Sequence, residues 1–484
     1  MAKREKSSLE RLSNSSLNRS QRRDLSRRVA AGDPGLTIVH PDAGGVDAGN
    51  ASHFAAVPPD RDPNPVREFG CWTRDLIRMA EWFRACGVAT VAMQSTGVYS
   101  IPLYDILTQH GIRVVLVNAR HTKNVPGRKT DVQECQWLMK LHTYGLLRDS
   151  FRLPENMETV RTLWRLREGH VREAGRAVQH MQKALTKMNI QLANAISDIT
   201  GVSGMAIIAA ILNGERDAYR LADLKDKRVK ASREEVARSL EGNWRDDLVF
   251  ELRQAVNRYQ FAHQQMQECD RALAGYLASL PPRTRDLPEG PVGPRPVRTR
   301  KAGKAKKPRG NEPIPDLTAE LQRICGVDLT SIEGINVITA QTIVSEIGPD
   351  MRGFQTENHF TSWLGLTPGK DVSGGKSVGP GRGKIQNRVA AALRMAATTL
   401  LRSQSYLGGR YRHLRNRLPS KKAAVKAMAR YLAVLVYRLL THGHAWVDRG
   451  AKRFEQKRAQ LDFMKLTSRA LAQGYKLVRL AQTS

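Results

Sequence analysis

The middle of the chain places the strongest constraint on its fold. From Val171 through Ala174, Val178, Met181, Leu185, Met188, Leu192 and Ala195 to Ile199, apolar residues advance by alternating steps of three and four. Leu248, Leu252, Ala255, Tyr259, Ala262, Met266, Cys269, Leu273, Tyr276 and Leu280 repeat the pattern. Such steps keep one stripe of a helix facing a partner, so residues 151–280 are predicted to form a helical coiled-coil domain. The two seams can close on each other as a hairpin or join two protomers, and both arrangements satisfy the pattern. Ser232 and Glu235 predict a capping box between them.

Different patterns flank this segment. Residues 36–150 alternate strand and helix. Strands are predicted at Thr37–His40, Gly45–Asp47, His53–Val57, Thr90–Gln94 and Arg113–Asn118, and helices at Val66–Ala85, Pro102–His110 and Asp131–Tyr144. Interleaving of this kind predicts an α/β domain with a mixed or parallel sheet. Residues 281–314 read as a basic Pro/Gly-rich linker: positions 281–310 hold ten Lys/Arg, two acids, seven Pro and four Gly. That composition cannot bury a core; it serves as a solvated spacer or as a nonspecific contact to phosphates. Residues 315–445 are predicted to be a second, mainly helical globular domain, and 446–484 a helical tail. Residues 1–35 are a basic, polar, flexible arm.

Charge narrows the partners. The 484 residues carry 78 Lys+Arg against 46 Asp+Glu, a formal net charge of +32, while 41% hydrophobic content is enough for real cores. An excess of that size points to a polyanion, with nucleic acid first and an anionic membrane surface second. The longest apolar runs, Met205–Leu212 and Tyr431–Val436, are far short of the roughly 20 residues a membrane span needs. No apolar run follows the basic N-terminus, so a signal peptide is not expected. The cysteines at 71, 86, 135, 269 and 325 include no CxxC pair, which argues against a disulfide framework or a zinc ribbon and for a reducing cytoplasm.

Three motifs can carry chemistry. Ile332-Glu333-Gly334-Ile335-Asn336-Val337 has the pattern of a helix-hairpin-helix, whose turn amides hold a DNA phosphate; an ordinary turn between helices would look the same. Trp363 to Ser377, followed by Gly381-Arg382-Gly383-Lys384 and Asn387-Arg388, is glycine-rich and cationic, without Walker spacing. A serine in such a loop can attack phosphorus, or can simply sit in a Ser-Gly turn. Asp47 ends the first strong strand, and Asp131 and Glu134 lie one helical turn apart at a helix start. Carboxylates converging from a strand end and a helix can hold two Mg²⁺ for phosphodiester chemistry, although Asp131 alone would also serve as an N-cap.

Taken together, these stretches resemble a bacterial insertion-sequence transposase of the DEDD class, insertion sequence one-ten (IS110) family, eleven-eleven group, the RNA-guided bridge recombinases. The resemblance rests on Gly45-Val46-Asp47-Ala48-Gly49-Asn50, Ala92-Met93-Gln94-Ser95-Thr96-Gly97-Val98-Tyr99, Val117 to Asn124, Gly127-Arg128-Lys129-Thr130-Asp131 and the Gly365-to-Arg388 block. It implies a RuvC-like, RNase H-fold N-terminal domain, a coiled-coil insertion and a C-terminal domain with a nucleophilic serine. It also implies a guide (bridge) RNA that pairs with donor and target DNA, and Mg²⁺ in a two-metal site. By motif, Asp47, Asp131 and Glu134 are the first, third and fourth acids, Gln94 stands where the second is expected, and Ser373 is the serine, with Ser377 in reserve. Arg120, Lys123, Arg128, Lys129, Gly334, Lys376, Arg382, Lys384 and Arg388 are the expected nucleic-acid contacts. A dimer that becomes a tetramer on DNA, and a nucleoid-associated state when active, complete the expectation. Gln94 removes one of four negative charges, and Glu134 is one methylene longer than Asp. Two rivals follow: a junction endonuclease that uses water, and a catalytically weakened RNA- and DNA-binding protein.

Overall fold

The computed structural model describes residues 37–94, 97–118, 130–283, 312–313, 316–367, 372–373, 376–377, 387–443, 460–461, 463–464 and 466–477. The expected N-terminal arm and most of the linker lie outside the described residues. The chain divides between Arg152 and Leu153 into two compact units.

The first unit is a five-stranded sheet of order β3-β2-β1-β4-β5. Its strands are β1 (Ala43–Ala48), β2 (Ser52–Ala56), β3 (Val66–Gly70), β4 (Thr90–Gln94) and β5 (Arg113–Val117). β1 is antiparallel to β2, β2 to β3, and β1, β4 and β5 are parallel. Helices α1 (Thr73–Ala85), α2 (Ser100–Gln109) and α3 (Asp131–Thr143) cover it. The period-two alternation sorts side chains between its faces. Val46, Ala48, Ala55 and Met93 join Met79 and Phe83 of α1 and Leu103 of α2 on one side. Ala56 meets Cys135 and Met139 of α3 on the other.

Two predicted elements differ. Val66–Ala85 is not one helix: Val66–Gly70 is strand β3, because its backbone completes the ladder with β2, and the helix begins only at Thr73. Thr37–His40 is not a strand; Val39 and His40 instead donate their amides to the Thr143 carbonyl at the end of α3.

The second unit is built on two long helices, α4 (Glu155–Lys187) and α9 (Asp246–Ser279). They run antiparallel: Arg167 pairs with Asp270, and Lys187 Nζ lies 2.7 Å from Glu251 Oε2. The first seam stops earlier than expected. Asn189 takes a left-handed φ of 58°, and Leu192–Ala195 is a separate short helix, α5. A small helical cap, α6 (Val202–Leu212), α7 (Ala218–Asp223) and α8 (Arg233–Ser239), closes the far end around Ile207, Ile211 and Leu221. The Ser232–Glu235 capping box is present on α8.

At the other end lie α10 (Thr318–Cys325), α11 (Val337–Ile347), α12 (Glu357–Trp363), the short pair β6 (Val372–Ser373) and β7 (Lys376–Ser377), α13 (Arg388–Thr399), α14 (Tyr406–Arg417) and α15 (Lys421–His442). α11 is docked on α4: Trp164 Nε1 donates to Thr342 Oγ1 at 3.1 Å, and Arg165 holds Glu346 with two bonds of 2.8 and 2.7 Å. The element before Gly334 is not a full helix but a single 3-10 turn, Leu329–Ser331. In the tail, residues 466–472 are helical. Among the described residues no helix is long and apolar enough to cross a membrane.

A buried histidine ties the first unit's stability to pH. His142 is 3% exposed, and its Nε2 lies 2.9 Å from Thr90 Oγ1. Burial, then the neighbouring His40 and Arg113 charges, lower its pKa to about 4. Unfolding restores the ordinary value near 6.5, so the unfolded chain binds the extra proton between those limits and stability falls as pH drops through that window. From pH 7 to pH 5 this residue is expected to withdraw about 2 kcal/mol. Urea unfolding of the wild type and of His142→Gln at both pH values checks this: the variant should be the less pH-sensitive, and equal sensitivity would contradict the assignment.

Candidate active site

The site is set by how closely α3 lies on β1. A Cβ at Gly45 would stand 2.2 Å from the Cys135 carbonyl oxygen and 2.4 Å from the Met139 nitrogen. Only a residue without a side chain lets helix backbone rest on strand backbone there. Asp47 is two residues further along the same strand, so it belongs to the same face. The parallel register pairs Val46 with Met93, and the next step along the two strands sets Asp47 beside Gln94. Both residues therefore sit at the carboxyl ends of adjacent parallel strands, below the first turn of α3.

α3 brings the remaining two. Thr130, not Asp131, caps the helix: its hydroxyl accepts from the Gln133 amide at 3.3 Å. Asp131 is thus released from the capping role and stands exposed in the first turn, with Glu134 half-buried one turn on. The partial positive charge of the helix start compensates both carboxylates. Gln94, 4% exposed, donates through Nε2 to Glu134 Oε2 at 3.4 Å. Cys135, beside them, has its thiol pushed up to about 12, chiefly by burial, with the negative charges of Asp47 and Asp131 adding to it. Asp47 and Gln94 thus stand at neighbouring strand ends, Glu134 reaches Gln94, and Asp131 opens the same helix as Glu134.

Their donors are all oxygens, the kind hard divalent cations take. Among the described residues, no three His, Cys, Asp or Glu side chains are grouped so that they could hold a metal ion.

The other expected residues are placed as follows. Arg120, Lys123, Arg128, Lys129, Arg382 and Lys384 lie outside the described residues. Ser373 and Lys376 are register partners across β6 and β7, and Ser377 is opposite Val372. Gly334 has φ 91°, and a Cβ there would meet the Ala396 carbonyl at 3.1 Å and Leu400; the glycine is required by the packing of this turn on α13. Asn336 caps α11 by accepting from the Thr339 amide at 2.9 Å. Arg388 is engaged within the protein: it pairs with Glu168, and its Nε lies 3.8 Å from Glu346. The Glu346 group was not anticipated, because Arg165 and Glu346 are separated by 181 positions and no local motif joins them.

Comparison with known proteins gives the class. Residues 44–190, from β1 to just beyond α4, match a family model described as a transposase, the DEDD transposase of IS110. Residues 328–412, from the 3-10 turn into α14, match the transposase IS116/IS110/IS902 family. The chain is a DNA transposase, and the two matches together support an IS110-family transposase. No curated protein matches the chain.

The close packing around Gly45 is open to direct test. At pH 8 a thiol reagent is expected to label the exposed Cys71 and leave Cys135 unmodified, as peptide mass mapping would show. Gly45→Ala must push α3 away and is expected to open Cys135 to the reagent. Continued protection of Cys135 in a folded Gly45→Ala protein would mean that α3 does not rest on β1.

Proposed function

We propose that this transposase cuts and rejoins DNA strands with Mg²⁺ and a serine nucleophile, directed by a guide RNA. The observation that carries the proposal is the placement of Asp47 and Gln94 at the carboxyl ends of β1 and β4, with Glu134 of α3 reaching Gln94 and Asp131 one turn before it on the same helix. The mixed sheet with Asp47 near the end of its parallel strand β1 supports the RuvC-like, RNase H-type reading of the first unit. In this proposal Asp47, Gln94, Asp131 and Glu134 hold the metal, which supplies charge neutralisation at the scissile phosphate. Ser373 is the attacking group. Its hydroxyl loses its proton as the oxygen bonds to phosphorus, one strand ester P–O bond breaks, and the departing deoxyribose oxygen takes up a proton, so the proton count is unchanged. Attack by a strand hydroxyl on the phosphoserine reverses the step and joins a new strand. Lys376, Arg382 and Lys384 contribute charge to the same loop. The +32 net charge supports binding of both RNA and DNA backbones. The two long seams close on each other within the chain, so the proposed dimer that assembles into a tetramer on DNA does not rest on them.

Asp131→Ala is expected to abolish cleavage while changing DNA affinity little, because affinity comes from Lys/Arg–phosphate contacts and the carboxylate acts on the transition state. Equal losses in gel-shift and cleavage assays would make Asp131 structural. Ser373→Ala is expected to remove any covalent protein–DNA adduct on a denaturing gel. An adduct that persists would pass the role to Ser377, and undiminished cleavage without an adduct would favour water as the nucleophile.

Gln94→Glu restores the fourth negative charge and is expected to shift the Mg²⁺ dependence of cleavage to lower concentration; lower activity at every concentration would show that the site is tuned to the amide. Sequencing of RNA that copurifies with the protein tests the guide: one dominant species is expected, and a random sample of cellular RNA would count against it.

A further inference from the structure

No Asp or Glu occurs between Asp371 and Asp448, although that stretch holds 15 Lys/Arg. Some of these cations are used inside the fold. Arg388 pairs with Glu168, Arg438 grips Glu357 at 2.7 and 2.9 Å, and the Arg410 guanidinium stacks over the Tyr431 ring at 3.9 Å. Five are not. Arg415, Arg417, Lys421, Lys422 and Lys426 lie on the corner between α14 and α15, and among the described residues none of them has an ion pair.

Lys421 and Lys422 make the case sharper. They occupy the first turn of α15, which contains no acid. Cations there oppose the helix macrodipole, a placement that costs roughly 0.3–1 kcal/mol each. A fold that accepts this cost twice at one exposed corner presents a site for an anion.

The corner itself is rigid. Ser420 caps α15, accepting from the Ala423 amide at 3.1 Å. Tyr411, Leu407, Ala424 and Met428 are buried beneath the corner. Lys422, Lys426 and Arg430 follow at four-residue intervals, which puts them on one face and about 6 Å apart along the axis.

The surroundings select the kind of polyanion. Among the described residues, no large hydrophobic side chain between Leu401 and Leu461 is among those substantially exposed. A membrane-surface helix needs apolar residues to insert, and a single-strand site needs open aromatic rings for bases to stack on. A surface of cations alone suits a backbone whose bases are already paired.

We propose that the α14–α15 corner is a docking surface for the phosphate backbone of duplex DNA, made by Arg415, Arg417, Lys421, Lys422 and Lys426. It acts in binding and is separate from the serine and carboxylate chemistry proposed above. The test uses the full chain, freed of copurified nucleic acid, and a labelled 30-base-pair DNA duplex titrated at several KCl concentrations. K421E/K422E/K426E is expected to weaken binding at least tenfold at 150 mM salt. Its log–log salt slope should be shallower by about 2 to 3, at roughly 0.9 per lost contact. The neutral variant K421Q/K422Q/K426Q is expected to fall between it and the wild type. Thermal unfolding separates binding from folding, because acids at a helix start are favourable: the Glu variant should melt at the same temperature or higher. An unchanged slope in that folded variant would overturn the proposal. So would a larger loss for an RNA duplex, a single strand or phosphatidylserine vesicles than for the DNA duplex. No cleavage is measured, so this result is independent of whether Ser373 and Asp131 act as proposed.

Discussion

Everything at the candidate site depends on one contact, the backbone of α3 resting on the backbone of β1 at Gly45. With the Cys135 carbonyl 2.2 Å from where a Cβ would be, no other residue fits without displacing the helix. Because the helix is held there, its first turn sits over the strand ends, and Glu134 comes within 3.4 Å of Gln94. The parallel pairing of β1 and β4 supplies the other half by placing Asp47 next to Gln94. A site assembled this way rests on regular elements rather than on loops, which fixes its donors firmly.

The second unit is held by charge at two places. Arg167 and Asp270 are both 3% exposed and pair between the long helices, where removal of either would leave the other charge buried at a cost of about 3–5 kcal/mol. Glu346, 6% exposed, receives Arg165 from α4 and lies near Arg161 and Arg388. A chain with 78 basic residues thus assigns some of its arginines to its own interior. Five cations without an ion pair among the described residues lie together at the α14–α15 corner, in contrast to these arginines held inside the fold.

Much of the site was legible in the sequence. Asp47 at a strand end and the Asp131–Glu134 spacing were readable because each depends on neighbours a few residues away. β4 was legible because a run buried on both faces carries an apolar centre, here Val91-Ala92-Met93. Asp131 was a candidate N-cap on sequence, and the hydrogen bond from the Gln133 amide gives that role to Thr130 instead. Val66–Gly70 was misread as helix because its strand character comes from pairing with β2. The end of α4 was misread because the seam's spacing continues past Asn189, whose left-handed backbone breaks the helix without interrupting the pattern. Glu346 could not have been found, since all three of its arginines reach it through tertiary packing.

The central claim is that Asp47, Gln94, Asp131 and Glu134 together form a divalent-metal site. Iron-directed backbone cleavage tests it without requiring turnover. With Fe²⁺ replacing Mg²⁺ and ascorbate present, hydroxyl radicals cut the polypeptide close to the bound ion. Performed on the full chain with duplex DNA bound, the reaction is expected to cut near residues 47, 94 and 131–134, and Asp47→Ala should suppress all three cuts together. Cuts confined to other positions, or cuts at these positions that survive in Asp47→Ala, would contradict the account.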